Sequence, residues 1–483
     1  MLRTPEKAFQ SFIKNLSRIN VEPKTFNKVS EIVKINIAHC QTGKFPPFLE
    51  KMDNLEELNL SGNNLLIIDK SLWKATNLKR LFLFANKLEY IDEEIQNLKG
   101  LEEFNIGSNE LSELPEGLGE LENLYSLSLS ANNFKILPKS LNRLKKLRDL
   151  RLRQVKNLAL ESICEVFSDY QKAIYLGSFG YNINIHNDFL QISISKINSL
   201  PNKIGLLKSI QKIHFPFSNV SKFPFSFFNL SLLLHLNLRS NRLTEIPVEI
   251  GKVNSIRTID LRCNGIEKIP NSISKCENLE ELLLSQNSLK EIPIEIGNLG
   301  SLRKLNLSNN SIDTIPKEIG NLSTLEELNL SSNNLKELPH EIQKLKSLKR
   351  LWLVGNDFTE TERNRIKACL PDCFILFTKP FYLDDDRTRY LRPHYPILKK
   401  GFFIKNCDKN GYFLVKDKDN CRIHIKLSGK QRINYTTFKE NELIYFCYDS
   451  RTTEGHFVNG TNFKMNPSLF EEKLWLDNNE NEN

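Results

Sequence analysis

Paired cysteines, long apolar runs and enzyme signatures are all missing from this chain of 483 residues, and each absence removes a class of protein. The nine cysteines stand scattered at 40, 164, 263, 276, 369, 373, 407, 421 and 447. Their number is odd and no Cys-x-x-Cys pair occurs, which fits reduced thiols rather than a disulfide or zinc framework. Cys369 and Cys373 are expected to pack in a terminal cap rather than bind metal. No stretch of about 18 apolar residues appears, as a membrane span would need. Met1 to Lys7 leads into a charged amphipathic stretch instead of an apolar signal core, so a soluble, cytoplasmic protein is expected. Phosphate-loop, HExxH, GxSxG and kinase motifs are absent, which argues against an enzyme and against a cofactor. The run Asp384-Asp385-Asp386 lacks the Gly and Glu positions of a calcium loop and reads as solvated linker. Charge is a weak guide: 67 Lys and Arg against 58 Asp and Glu give +9, which neither demands nor excludes a polyanionic partner.

What the sequence does hold is a repeat. The block LxxLxLxxNxL recurs every 23 residues, starting at Ile32, Leu55, Leu78, Leu101, Leu124 and Leu147, and again at Asn187, Ile210, Leu233, Ile256, Leu279, Leu302, Leu325 and Leu348. The gap from Leu147 to Asn187 predicts one shortened, degenerate repeat near residues 170–186, for about fifteen units in all. Leu-x-Leu alternation predicts a short strand in each unit. The ninth position is Asn at 63, 86, 109, 132, 241, 264, 287, 310, 333 and 356, where an inward amide can satisfy backbone groups of adjacent turns. Cys40, Val155, Ser195 and Ser218 interrupt that column. A proline column, Pro46, Pro115, Pro138, Pro201, Pro224, Pro247, Pro270, Pro293, Pro316 and Pro339, predicts entry into a short helix on the convex side. A single unit cannot bury its leucines alone, so neighbours must stack.

The pattern LPxEIxxLxxLxxLxLxxNxL resembles the 23-residue leucine-rich repeats of the Ras-group class over residues 32–377, with NDFTETERNRIKACLPDCFILF resembling a terminating unit at 357–377. The resemblance implies an α/β leucine-rich-repeat solenoid with a concave parallel sheet that binds proteins. Adaptor or scaffold work, with a small-GTPase pathway as one setting, is implied by resemblance alone. Residues 1–31 are read as a helical cap, because Phe9, Phe12, Ile13, Leu16 and Ile19 recur at helical spacing.

The third, fifth, seventh and eighth positions of each block are expected to face out from the concave sheet. Most seventh positions are small, but the middle units carry Arg153, Arg239 and Arg262, with Arg151, Lys212 and His214 in nearby columns. These would form a basic stripe suited to an acidic protein surface or phosphate; Asp149 and Asp260 in the same columns offer partial neutralisation. Phe82, Phe84, Phe217 and Trp352 add aromatic contacts, Trp352 being also placed to meet the following domain.

After residue 377 the period stops. Residues 378–400 read as linker, 401–465 as a small all-β barrel of about five strands, and 466–483 as a polar tail. Lys405, Asn410-Gly411-Tyr412-Phe413, Ile423-His424-Ile425 and Leu443-Ile444-Tyr445-Phe446 resemble, in order and spacing, a cold-shock-type OB barrel. Asn406, Leu414 and Arg422 stand where that family has stacking rings. Residues 387–432 hold thirteen Lys and Arg against three Asp. Lys405, Tyr412, Phe413, Arg422, His424 and Lys426 are therefore candidates for single-stranded nucleic acid; a capping barrel, or a lipid or phosphate surface, is the alternative.

Overall fold

A computed structural model describes residues 4–14, 16, 19–178 and 189–377, together with the backbone of strands Ile397–Asn406, Tyr412–Lys416, Arg422–Lys426, Leu443–Tyr448 and Glu454–Phe457. The chain forms two compact units, residues 1–350 with 356–370, and residues 351–355 with 371–483.

In the first unit, two inward leucines per block hold each strand against the core. Leu58, Leu60, Leu81, Leu83, Leu127 and Leu129 are among dozens of fully buried apolar side chains. Strands of mostly three residues pair in parallel at the repeat spacing: Lys34 stands beside Glu57, then Arg80, Glu103, Ser126 and Asp149. A second run places Lys212 beside His235, Thr258, Glu281, Lys304 and Glu327. Proline sets the return path. Pro115, Pro138, Pro224, Pro247, Pro270, Pro293, Pro316 and Pro339 sit at φ between −73° and −60° immediately before five-residue 3-10 helices. Pro46 and Pro201 depart from the expectation, since the turns after them begin behind Phe48 and Lys203.

The asparagines lie inside. Asn86 Nδ2 donates to the carbonyls of Leu83 at 2.9 Å and Leu60 at 3.0 Å, while its Oδ1 accepts from Asn63 N at 2.9 Å and Leu65 N at 3.1 Å. The carbonyls of Leu60 and Leu83 and the N–H groups of Asn63 and Leu65 thus find partners where the chain leaves the strand. The residue before each such asparagine turns the chain at positive φ, 54–58° in eight units from Ala85 to Ser332, and Gln154 and Phe217 take the same conformation before Val155 and Ser218.

The N-terminal end is a correction. Helix α1 (Pro5–Ile13), capped by Thr4 Oγ1 accepting from Lys7 N, stops at Ile13 and fully buries only Phe9, which meets Phe26 at 5.8 Å between centroids. Beyond it, strand Asn20–Glu22 pairs antiparallel with Lys34–Asn36 and covers the sheet edge.

The irregular middle departs further from expectation. After strand Asp149–Leu152 and helix α2 (Leu160–Val166), the chain forms strand Ala173–Gly177 and then strand Phe189–Ile194. The later strand inserts between the two earlier ones, because Phe189–Ile194 pairs with Asp149–Leu152 on one side and with Ala173–Gly177 on the other, and Ala173–Gly177 pairs on to Ile210–His214. A shortened repeat is therefore replaced by an extra strand out of sequence order. Ile192 stands beside Leu150, two residues beyond Leu190, which holds the matching fourth position of its own block. An even shift keeps the inward parity of the apolar residues. Gly177 is required at the crossing, since a Cβ there would lie 2.1 Å from the His214 carbonyl oxygen.

Helix α3 (Glu360–Cys369) closes the first unit, with Thr359 Oγ1 accepting from Glu362 N at 3.2 Å and Ile366 buried. In the second unit, Leu353 N donates to Leu376 O at 2.7 Å. Among its described strands, Ile397–Asn406 pairs antiparallel with both Tyr412–Lys416 and Leu443–Tyr448, and Glu454–Phe457 pairs with Arg422–Lys426 and Leu443–Tyr448. The first strand begins at Ile397, inside the segment read as linker. The Asp384 to Asp386 run lies outside the described residues.

Candidate functional site

Alternating charge zips the sheet near both ends of the first unit. In the third column Lys34 and Arg80 grip Glu57, both at 2.9 Å, and Lys304 and Arg350 grip Glu327 in the same way. Beside that column Lys79 pairs with Glu56, Arg257 with Glu280, and Arg303 and Lys349 with Glu326. Partners one strand apart are at the spacing that such pairs need.

The middle differs. From Phe189–Ile194 onward the third column reads Gln191, Tyr175, Lys212, His235 and Thr258, with no carboxylate in it. Lys212 forms no ion pair with a described residue, and burial pushes its ammonium pKa down. The imidazole of His214 is held below its ordinary range by burial and by the Lys212 charge, with Asp260 acting in the opposite direction. Burial, Lys212 and Arg257 lower that of His235, against Glu280, and its Nδ1 lies 3.2 Å from Thr258 Oγ1. Tyr175 stacks on Phe189 at 4.8 Å.

The expected site residues separate into two groups. Phe82 is half-buried and Phe84 is exposed. Phe82 borders a hollow of about 230 Å³ shared with Glu103, Tyr125, Asp149 and Arg151. Arg151 is drawn onto Asp149 at 2.6 Å, and Arg262 makes a two-pronged contact with the buried Asp260 at 2.8 and 2.6 Å. Those two arginines are consequently less available than the stripe implied. Arg153 stands next to the ladder break, its N donating to Ser130 Oγ at 3.1 Å. Phe217 is 55% exposed in the left-handed turn conformation at φ 55°, and the Arg239 guanidinium lies over its ring at 5.7 Å. Trp352 belongs to the second unit.

A groove of about 890 Å³ opens where Val155 and Ser195 interrupt the asparagine column, lined also by Lys156, Glu161, Lys196 and Asn198. Among the described residues no three His, Cys, Asp or Glu side chains converge as metal ligands, and no helix is long and apolar enough to cross a membrane. Sequence reading missed Tyr175 because its strand is out of period, and His235 because its column was scanned for the stripe alone. The alternation of Lys34, Glu57 and Arg80 was visible as a 23-residue charge pattern.

Two family models agree with this architecture: one described as a leucine-rich repeat region matches residues 229–306 and 286–365, and one described as a leucine-rich repeat matches 54–75. Residues 54–75 and 229–365 therefore carry leucine-rich repeats. Among solved structures, a leucine-rich-repeat protein of Leptospira interrogans is similar at 29% identity and a TM-score of 0.51, over 72% of this chain and 90% of that one. The plant peptide hormone receptor RGFR1 in complex with RGF2 aligns at 27% identity and 0.47, over 72% and 55%. An internalin of Listeria monocytogenes aligns at 20% and 0.43, over 77% and 93%. No curated protein matches the sequence. In the second unit the backbone register sets Tyr412 opposite Lys426, Phe413 opposite Ile425, Leu414 opposite His424, and Lys405 opposite Leu414; Arg422 stands opposite Lys416.

Proposed function

We propose that the protein is a non-enzymatic cytoplasmic adaptor or scaffold that holds a protein ligand on its concave face, in intracellular signalling of the kind served by the Ras-group repeat class. One observation carries the reading. The concave columns neutralise themselves near both ends, while the middle leaves Lys212 without a carboxylate and Phe217 exposed. Exposed rings, and cations with no carboxylate beside them, are what a protein ligand uses as anchors. Phe82 and Phe84 provide a second anchor toward the N-terminal side.

The test is co-purification of tagged full-length protein from its native cells at low salt, with and without nuclease. Capture of protein partners that survives nuclease and falls at least about tenfold in Phe82→Ala/Phe84→Ala or Arg239→Glu/Arg262→Glu is the expected result. Capture unchanged in both double variants moves the site off the concave face.

A second reading rests on the basic excess of residues 387–432 and on the register that sets Tyr412 opposite Lys426. It makes the second unit an OB-type single-strand binder and the repeats a recruiting arm. Nucleic acid retained after the concave variants, with proteins released by nuclease, is the outcome that favours it.

A further inference from the structure

On the basis of the concave-face reading, we propose that the hollow over Ser126, between Glu103 and Asp149 and beside the Phe82 and Tyr125 rings, docks one arginine side chain of the protein ligand.

The row of charges points there. In the third column Lys34, Glu57, Arg80 and Glu103 alternate in sign from strand to strand. The next place, where a cation is due, is held by Ser126, with Asp149 on its far side. A cation above Ser126 would stand to Glu103 and Asp149 as Arg80 stands to Glu57, one strand spacing of about 4.7–4.9 Å from each. Glu103 is open to it. Among the described residues it makes no ion pair and receives only the uncharged Tyr125 hydroxyl, on Oε1; Arg80 acts on it from a distance, its own ion pair being with Glu57 at 2.9 Å. Asp149 is partly engaged, since Arg151 at 2.6 Å and Ser126 Oγ at 3.5 Å both meet Oδ2, which leaves Oδ1. The negative charge of the hollow therefore belongs chiefly to Glu103, with Asp149 as second acceptor. Tyr125 feels it: burial, the bond to Glu103 and the charges of Glu103 and Glu102 push its hydroxyl up to about 12, against Arg80.

Shape narrows the occupant to a single side chain. Asn105, Ser126 and Ser128, all short, line the hollow together with Phe82 and Tyr125. Its volume of about 230 Å³ falls below the roughly 300–1,000 Å³ of pockets that enclose a small molecule. A flat guanidinium can lie on a ring while its fork reaches carboxylates on both sides, whereas a lysine ammonium offers a point charge. The other regular run supplies a contrast. Glu281 also ends an alternating row against an uncharged neighbour, Thr258, but His235 stands beyond it, so no second carboxylate faces Glu281 across the gap.

Fluorescence anisotropy on the full-length protein tests the proposal with labelled Ser-Tyr-Ser-Arg-Ser-Tyr-Ser and with its versions carrying lysine or the uncharged isostere citrulline at the centre. The arginine peptide is expected to bind at least about fivefold tighter than the citrulline peptide, and tighter than the lysine peptide. Glu103→Gln should cut the preference over citrulline to less than about twofold. Ser126→Arg, which gives the row its own cation, should erase it, and Glu281→Gln should leave it intact, with unchanged circular dichroism in each. Should Ser126→Arg fail to fold, Glu103→Gln decides, because it removes the charge at nearly constant volume. Equal binding of the arginine and citrulline peptides, a preference that survives Glu103→Gln, or lysine binding as tight as arginine overturns the proposal. If native-partner capture falls in Phe82→Ala/Phe84→Ala while the arginine peptide shows no preference, the concave-face reading stands and arginine docking falls. Capture unchanged in both concave double variants, together with no arginine preference, removes both.

Discussion

Asn109 shows how much one inward amide does in this architecture. Its Nδ2 donates to the carbonyls of Leu83, Ile106 and Gly107, and its Oδ1 accepts from Leu88 N at 3.0 Å. Replacing it by leucine leaves several buried backbone groups without partners, at about 1–3 kcal/mol each. We expect Asn109→Leu to lose at least about 3 kcal/mol in urea denaturation, against less than about 1 kcal/mol for the more accessible Asn306→Ala, whose Oδ1 accepts from Ser308 N and Oγ. The thiols separate in the same way. Burial pushes Cys164 up to about 12 and Cys276 up to about 11, whereas Cys263 is half-exposed and touches Gln286. Maleimide at neutral pH followed by mass mapping should label Cys263 in the folded protein, and Cys164 and Cys276 only after denaturation. Early labelling of Cys164 would contradict its packing. The interior asparagines and leucines were readable from the sequence because a 23-residue period leaves little choice about what faces in. Tyr175 and Phe189 were not, since a strand out of order has no period to betray it.

Between strands, charge rows do what side-chain packing cannot do on a solvated face. Burial raises the Glu57 carboxyl, but the hydrogen bonds from Lys34 and Arg80 outweigh it and hold the group below its ordinary range. A depressed folded-state pKa stabilises above the unfolded value and is lost as pH falls through the folded one. Glu57→Gln should therefore cost about 1 kcal/mol near neutral pH and almost nothing near pH 3, as chemical denaturation at both pH values would show. A cost that persists in acid would mean that Glu57 acts through packing. Helix α1 illustrates the opposite limit of sequence reading. Its apolar spacing continues to Ile19, yet the helix ends at Ile13 because the chain's next task is an antiparallel strand against Lys34–Asn36. Nothing local in the sequence announces an edge that needs covering.

For the array as a whole, the broken asparagine column between Val155 and Ser218 has a cooperative consequence. Stability in a stacked array is close to a sum of units and nearest-neighbour interfaces. The regular runs share their asparagine bonds from turn to turn, while at the break, among the described residues, a serine hydroxyl takes the amide's place: Gln154 N is met by Ser195 Oγ at 2.7 Å and Ile197 N by Ser218 Oγ at 3.4 Å. Hydrogen exchange should then find amides of residues 152–178 and 189–197 protected less than those of 284–333, with the difference at least about tenfold. Uniform protection across both stretches would show that the inserted strand compensates fully for the missing amides.

The repeat, its strand register away from the middle, the buried leucine and asparagine columns and the proline-led returns follow from the sequence alone, because each is a consequence of side-chain chemistry recurring at a fixed spacing. The order of strands Ala173–Gly177 and Phe189–Ile194 was decided by tertiary structure, where an unpaired strand edge and the close approach of Gly177 to His214 settle which neighbour lies beside which. The available cations were settled there too. Arg262 and Lys212 read alike as outward cations of neighbouring columns, but only the fold sets one against Asp260 and the other beside the His235 imidazole.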